Sequence, residues 1–132
     1  MNGRLPDRQG KVRDIFDAGD TLVMVASDRI SAFDYVLGSG IPDKGRILNQ
    51  LSAFWFGRTS HIVTNHLIST NVDDYPAEAR QYRSQLAGRS SLVRRTNPLP
   101  VECVARGYLT GSGLVEYRES ASVCGVNLPP GL

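Results

Sequence analysis

The chain of 132 residues carries 15 Lys and Arg against 13 Asp and Glu, a formal net charge of +2, with 41% hydrophobic and 21% charged residues. That length fits one ordinary domain, and the composition excludes collagen-like and wholly disordered classes. The longest apolar run, Leu22-Val23-Met24-Val25-Ala26, falls far short of the roughly 18–20 residues that span a bilayer, and no apolar secretory segment opens the chain, so a cytoplasmic protein without membrane association is expected.

In chain order, residues 1–9 are polar with one proline and read as a loose segment. Residues 11–16 and 21–27 are β-prone runs, and Asp17-Ala18-Gly19-Asp20 between them predicts a hairpin turn. Residues 27–34 and 38–45, rich in turn formers, read as loops. In residues 46–56, Ile47, Leu48, Leu51, Phe54 and Trp55 recur at three- and four-residue spacing, which predicts a helix that buries this face and closes at Gly57. Residues 62–67 read as a strand. Residues 74–86 read as a helix with Asp74 as its cap, Pro76 in its first turn, Gly88 just past its end and a core stripe of Tyr75, Ala79, Tyr82 and Leu86. Residues 91–95 and 101–106 are two further strands, joined by the stiff Thr96-Asn97-Pro98-Leu99-Pro100 link. Gly111-Ser112-Gly113 leads into a helix over 114–119, and residues 126–132 read as a loose tail. Strands flanked by helices, with hairpin-type links, give an α+β fold over a mainly antiparallel sheet.

Several clusters have the chemistry to bind anions. In Gly10-Lys11-Val12-Arg13-Asp14 a strand would project Lys11 and Arg13 from one face, about 6.6 Å apart along the chain, within reach of neighbouring phosphates. A solvated edge strand is the competing reading, because neither phosphate-loop nor dinucleotide glycine patterns are present. Ser27-Asp28-Arg29-Ile30-Ser31-Ala32-Phe33-Asp34 offers two carboxylates, an arginine and two hydroxyls, with Ile30 and Phe33 as anchors to the core; an ordinary turn competes with a substrate loop. Lys44 and Arg46 lie near the start of the first helix, where free amides favour anions, against the alternative of a solvated loop. On the 101–106 strand, alternation puts Glu102, Val104 and Arg106 on one face; Glu102 and Arg106 are about 13 Å apart along an ideal strand, so each needs another partner. The Gly-rich segment after Arg106, with the Ser112 hydroxyl at a helix start, has the make-up of a phosphate cradle, with simple N-capping by Ser112 as the alternative.

Other features exclude chemistry. Cys103 and Cys124 share no C-x-x-C spacing, so free thiols are expected. His61 and His66 lack helical zinc spacing and a third ligand, and read as structural or surface residues. Only Lys11 and Lys44 among the cations are lysines. Genome base composition or an anionic ligand can account for that bias, and the small net charge argues against a nucleic-acid partner.

Four stretches, Gly10-Lys11-Val12-Arg13-Asp14-Ile15, Ser27-Asp28-Arg29-Ile30-Ser31-Ala32-Phe33-Asp34, Gln50-Leu51-Ser52-Ala53-Phe54-Trp55-Phe56 and the run Leu99-Pro100-Val101-Glu102-Cys103-Val104-Ala105-Arg106-Gly107-Tyr108-Leu109-Thr110-Gly111-Ser112, resemble in order and spacing the N-terminal part of the SAICAR synthetases, the phosphoribosylaminoimidazole-succinocarboxamide synthases of purine biosynthesis. The resemblance implies a kinase-like ATP-binding lobe over residues 10–97 and the incomplete start of a second lobe over 98–132, truncated before the family's C-terminal lobe. It implies an ATP-dependent carbon–nitrogen ligase that joins L-aspartate to carboxyaminoimidazole ribonucleotide through an acyl phosphate. Magnesium would be a cofactor, with its acidic ligands in the missing C-terminal half and no metal ligand in this chain. By the same resemblance, Gly10, Lys11, Val12 and Arg13 would cover the ATP phosphates, and Val93, Arg94 and Thr96 would line the adenine pocket through backbone hydrogen bonds. Arg106, Gly111 and Ser112, supported by Glu102, would hold the nucleotide substrate's phosphate or carboxylate, with Asp28, Arg29, Ser31 and Asp34 on the substrate side. No catalytic residue is assigned. An inactive fragment, or a non-enzymatic nucleotide- or phosphate-binding module, is the alternative.

Overall fold

In the computed structural model, which describes residues 4–101, 103–105 and 107–132, the chain forms two units, one running to Asn97 and the other from Pro98 to Leu132. The first is built on an antiparallel sheet of Arg8–Gln9 (β1), Arg13–Ala18 (β2) and Thr21–Ala26 (β3), completed by strands from further along the chain. β2 and β3 form the expected hairpin, with Arg13 opposite Ala26 and Ala18 opposite Thr21. Gly19 at its tip has φ +74°, a conformation that glycine adopts without a Cβ penalty. A small hairpin of Ser31–Ala32 (β4) and Tyr35–Val36 (β5) follows, then a helix, Lys44–Arg58 (α1), a strand, Leu67–Ser69 (β6), and a 3-10 turn at Val72–Asp74. Two short helices, Ala77–Arg80 (α2) and Arg83–Leu86 (α3), lead to Ser90–Arg94 (β7). The five-stranded sheet runs β1-β2-β3-β7-β6. This is the α+β, mainly antiparallel fold that the sequence predicts.

Period-two alternation sorts the sheet's two faces. Phe16 lies opposite Val23 and Val23 opposite Leu92, and these three meet Val72, Tyr75, Ala79 and Leu86 in the core. Burying each large aliphatic side chain contributes roughly 1.5–3 kcal/mol. Tyr75 carries its hydroxyl into this core and satisfies it at Ser90 Oγ (3.0 Å), while the Ser90 hydroxyl bonds the Leu86 carbonyl (2.8 Å). The other face carries Met24 opposite Ser91 and Leu22 opposite Val93, and α1 packs on β3 and β7.

Several boundaries differ from expectation for local reasons. α1 runs through Gly57 and stops when Thr59 donates both its amide (2.9 Å) and its hydroxyl (2.8 Å) to the Trp55 carbonyl. Its Ile47, Leu51, Phe54 and Trp55 are half or more exposed rather than buried, and Leu48 is 43% exposed; the buried residue of this helix is Gly45. Residues 62–66 form no strand, because Asn65 donates to the Phe56 carbonyl (3.2 Å) and accepts from the Leu67 amide (3.0 Å), so extension begins only at Leu67. The expected 74–86 helix is interrupted: Asn71, not Asp74, caps a 3-10 turn, Pro76 precedes α2 instead of lying within it, and Tyr82 leaves helical geometry before α3. Its stripe is nonetheless right, with Tyr75, Ala79 and Leu86 buried and Tyr82 packed against them. Residues 4–9 are not loose. β1 pairs with β2, Asp7 accepts from the Asp17 amide (2.8 Å), and the Arg4 guanidinium sits over the Phe16 ring.

In the second unit, the described residues of 101–106 form no strand, and Val101 and Val104 are 64% and 58% exposed. Pro98 and Pro100 remove two backbone donors just before them. Glu102 and Arg106 lie outside the described residues. The helix starts earlier than expected, at Gly111–Ser120 (α4), and a two-stranded hairpin, Ser122–Val123 (β8) with Val126–Asn127 (β9), follows it. Residues 126–132 are therefore not a loose tail. Tyr117 donates its hydroxyl to the Pro129 carbonyl (2.6 Å) and accepts from the Leu132 amide (3.2 Å). Cys103 and Cys124 are both free thiols, as expected. No helix among the described residues is long and apolar enough to cross a membrane.

Two predictions follow from α1. A Cβ built on Gly45 would lie 2.3 Å from the Ala26 carbonyl oxygen, whereas one on Gly57 meets nothing within 4 Å. Denaturant unfolding should therefore show Gly45→Ala losing about 1–3 kcal/mol and Gly57→Ala losing none. Trp55, the single tryptophan, is 55% exposed, so its emission should lie near that of indole in water and be quenched by iodide; a blue-shifted, shielded signal would contradict the exposed stripe.

Candidate functional site

The sheet face opposite the core forms the floor of a cleft of about 110 Å³. Met24, Ala26, Ser91 and Val93 supply that floor, and Val12 and Arg13 enter from the turn that links β1 to β2. Lys44, Leu48, Ser52 and Phe56 form the wall, four residues apart along α1 and so on one side of it. His66 and Leu67 close the far end, where the His66 ring meets Phe56 edge-on with centroids 5.3 Å apart. The floor is largely apolar, and Arg13 and Lys44 are the cations among the lining residues. Such a combination suits a flat apolar ring with an anionic tail.

The wall is pinned to the floor by polar contacts. Asn49 donates to the Ser90 carbonyl (3.1 Å) and accepts from the Ser91 hydroxyl (2.8 Å). At the helix start, the Gly45 amide donates to Asp28 Oδ1 (2.9 Å) and Arg89 donates to Asp28 Oδ2 (3.2 Å). The Lys44 ammonium donates to the Arg29 carbonyl (3.1 Å).

Of the expected site residues, the structure brings Val12, Arg13 and Val93 to the cleft. Gly10 and Lys11 occupy the preceding turn, and Lys11 forms an ion pair with Asp34. The Arg94 amide donates to the His66 carbonyl (2.8 Å), so that backbone donor serves the sheet, and Thr96 is exposed beyond β7. Asp28 and Arg29 face partners within the fold: Asp28 binds Gly45 and Arg89, and Arg29 grips Asp14 with two bonds of 3.1 and 2.7 Å. Ser31 lies in β4 opposite Val36. Phe33, expected to anchor this loop, is fully exposed at a φ of +47°. Gly111 and Ser112 lie exposed in the first turn of α4, which Thr110, not Ser112, precedes as the cap position. Glu102 and Arg106 are not among the described residues.

Sequence reasoning missed the wall. The sequence marks Lys44 as a cation near a helix start but gives Leu48, Ser52 and Phe56 no role beyond the helix. The i, i+4, i+8, i+12 spacing from Lys44 was the available signal. Met24 and Ala26 were legible by alternation from the buried Val23. His66, expected to be structural or surface, lines the cleft.

The ion pairs shift their own members. The Arg29 guanidinium holds the Asp14 carboxyl below its ordinary value of 3.8, and Asp14 in turn raises Arg29. The Gly45 amide, aided by Arg89, lowers Asp28. Burial raises the Tyr75 hydroxyl.

A family model described as SAICAR synthetase matches residues 7–132. The phosphoribosylaminoimidazole-succinocarboxamide synthase of Syntrophotalea carbinolica is 61% identical over 124 residues, covering 94% of this chain and 42% of the relative. Its namesake in Pelobacter propionicus is 56% identical over the same length and coverage. Among solved structures, a SAICAR synthase matches with TM-score 0.85 and 44% identity, covering 100% of this chain and 47% of the other. The SAICAR-synthase from Saccharomyces cerevisiae complexed with SAICAR matches with TM-score 0.85, 42% identity and the same coverage. The chain thus spans less than half the length of the curated relatives it matches.

Asp14 and Asp28 both titrate lower in the folded chain than in the unfolded one, so the unfolded state takes up more protons as pH falls. Their contribution to stability is present above the ordinary carboxylate value near 3.8 and is lost as pH drops through the depressed values. Thermal melts between about pH 5 and pH 2 should show a steep acid limb in the native chain and a shallower one in Asp14→Asn.

Proposed function

The chain belongs to the SAICAR synthetase family, and from that premise we propose that it supplies the ATP-binding part of an ATP-dependent ligase joining L-aspartate to carboxyaminoimidazole ribonucleotide. The observation that carries this reading is the cleft between the sheet and α1, with its apolar floor at Val93 and Met24 and its cations Arg13 and Lys44. Adenine would lie over the floor, and the phosphates would extend toward Arg13 and Lys44. A carboxylate oxygen of the ribonucleotide would attack the γ-phosphorus as ADP leaves. The aspartate amine would then attack the acyl carbon, releasing phosphate and giving up a proton. Such chemistry asks for alignment and charge stabilisation more than for a protein nucleophile.

The roles of Gly10, Lys11, Val12, Arg13, Val93, Arg94 and Thr96 toward ATP, and of Arg106, Gly111, Ser112, Glu102, Ser31 and Asp34 toward the substrates, belong to this proposal. So does a cytoplasmic location. Magnesium, which would neutralise the phosphates, has no fitting site in this part: among the described residues no group of three or more His, Cys, Asp or Glu is placed to hold a metal ion.

The test is calorimetric titration with ATP and adenosine, followed by an ADP-release assay with both substrates. Arg13→Ala and Lys44→Gln should each weaken ATP binding about tenfold and leave adenosine binding unchanged. ADP release should require the complementary C-terminal portion of a family member. A mixture that binds ATP but never turns over would instead favour a non-enzymatic nucleotide-binding module, and turnover by this chain alone would overturn the division of labour.

A further inference from the structure

The turn that brings Val12 and Arg13 to the cleft does not hold its own shape. The Gly10 amide closes onto the Arg13 carbonyl (2.7 Å), but the other three carbonyls of residues 10–13 bond to a segment 15 to 19 residues downstream. Arg29 donates from Nη2 to the Gly10 carbonyl (3.1 Å) and from Nε to the Lys11 carbonyl (3.1 Å). Ser27 donates both its amide (3.0 Å) and its hydroxyl (2.9 Å) to the Val12 carbonyl. The remaining reach of the Arg29 fork goes to Asp14, bound through both carboxylate oxygens (3.1 and 2.7 Å), with the two side chains only 28% and 20% exposed. Meanwhile the Arg29 main-chain carbonyl accepts from the Lys44 ammonium (3.1 Å).

One residue therefore acts on both sides of the cleft's positive charge: its side chain bonds Gly10, Lys11 and Asp14, which flank Arg13, and its carbonyl accepts from Lys44. We infer that Arg29 is a positioning residue for the anionic end of the cleft's ligand, setting the Gly10–Lys11–Val12–Arg13 turn and Lys44 in the geometry that receives phosphate. This rests on the ATP reading above, and it moves Arg29 from the substrate side, where the resemblance placed it, to a role behind the nucleotide. A planar guanidinium can serve two carbonyls and a carboxylate at once, whereas an ammonium on a flexible stem cannot match that fork, so lysine is a demanding conservative replacement. Losing a charge-assisted hydrogen-bond partner typically costs about 10- to 100-fold.

The experiment uses the full 132-residue chain with Arg29→Ala, Arg29→Lys and Asp14→Asn, and reads two quantities. Calorimetry should show ATP affinity falling about tenfold or more in Arg29→Ala and by a smaller factor in Arg29→Lys, with adenosine affinity held within about twofold. Amide exchange should show residues 10–13 opening faster in all three variants while the β3 and β7 amides stay protected. A merely structural role would move ATP and adenosine together, and that result in Arg29→Lys, whose retained charge gives it the better prospect of folding, overturns the inference. So does unchanged exchange at residues 10–13. Equal ATP affinity in the native chain and the variants would overturn the Arg29 assignment alone, whereas a native chain that binds adenosine and ATP equally weakly would overturn the ATP reading and this inference with it.

Discussion

Asp28 accepts one hydrogen bond from the Gly45 amide and another from Arg89, at the point where β3 ends, α1 begins and β7 is about to start. The Ala26 amide meanwhile donates to the Arg89 carbonyl (2.8 Å), so the same short stretch joins the first unit's strands and its long helix. A carboxylate at a helix N-terminus satisfies an otherwise orphaned amide and meets the positive end of the helix dipole. Here it comes from a neighbouring element, because Asp43, at the cap position with φ +61°, makes no side-chain cap of its own. Glycine is required at 45 because the helix backbone approaches the Ala26 carbonyl too closely for any Cβ. Any shift of this contact would slide α1 along the sheet and carry the wall of the cleft with it.

That geometry explains a helix whose apolar stripe faces outward. The side of α1 toward the sheet mixes Lys44, Asn49 and Ser52 with Leu48 and Phe56, because it lines a cleft and ties itself to β7 through Asn49. Its more uniformly apolar side, Ile47, Leu51, Phe54 and Trp55, stands exposed. A period of 3.6 shows that a helix has an apolar side, but not which neighbour that side meets. Reading the stripe as core was the natural inference, and it failed because the polar side of α1 has work at the cleft.

What was legible in the sequence follows the same division. The β2–β3 hairpin, β7 and the core stripe of Tyr75, Ala79 and Leu86 depend on short-range alternation and turn chemistry, and they were read correctly. The 62–67 strand and the continuous 74–86 helix failed where one asparagine redirected the backbone: Asn65 delays extension, and Asn71 starts a 3-10 turn. Arg13 and Lys44 stand out in the sequence as cations beside a turn and a helix start, and Val93 through the resemblance to a known family, while Leu48, Ser52 and Phe56 carry no local mark of a cleft face as against a core or solvated one. The bracing of the turn by Arg29 was hidden for a stronger reason, since its acceptors include main-chain carbonyls, which carry no residue identity.

Several of the arginines are spent inside the fold. Arg29, Arg89 and Arg95 pair with Asp14, Asp28 and Asp17, and Arg29 and Arg95 also bond main-chain carbonyls, the latter at Gly19 (3.0 Å). In each case the guanidinium joins segments distant in sequence, a use for which its several fixed donors are better suited than a lysine's single ammonium. Exposed pairs of this kind contribute little individually, but the partly shielded Arg29–Asp14 pair is backed by two neutral carbonyl acceptors, at Gly10 and Lys11. Counting arginines therefore overstates the positive charge offered to a ligand. The two cations that line the cleft, Arg13 and Lys44, are set by a third, and the anion affinity of the site depends on how firmly that third is held.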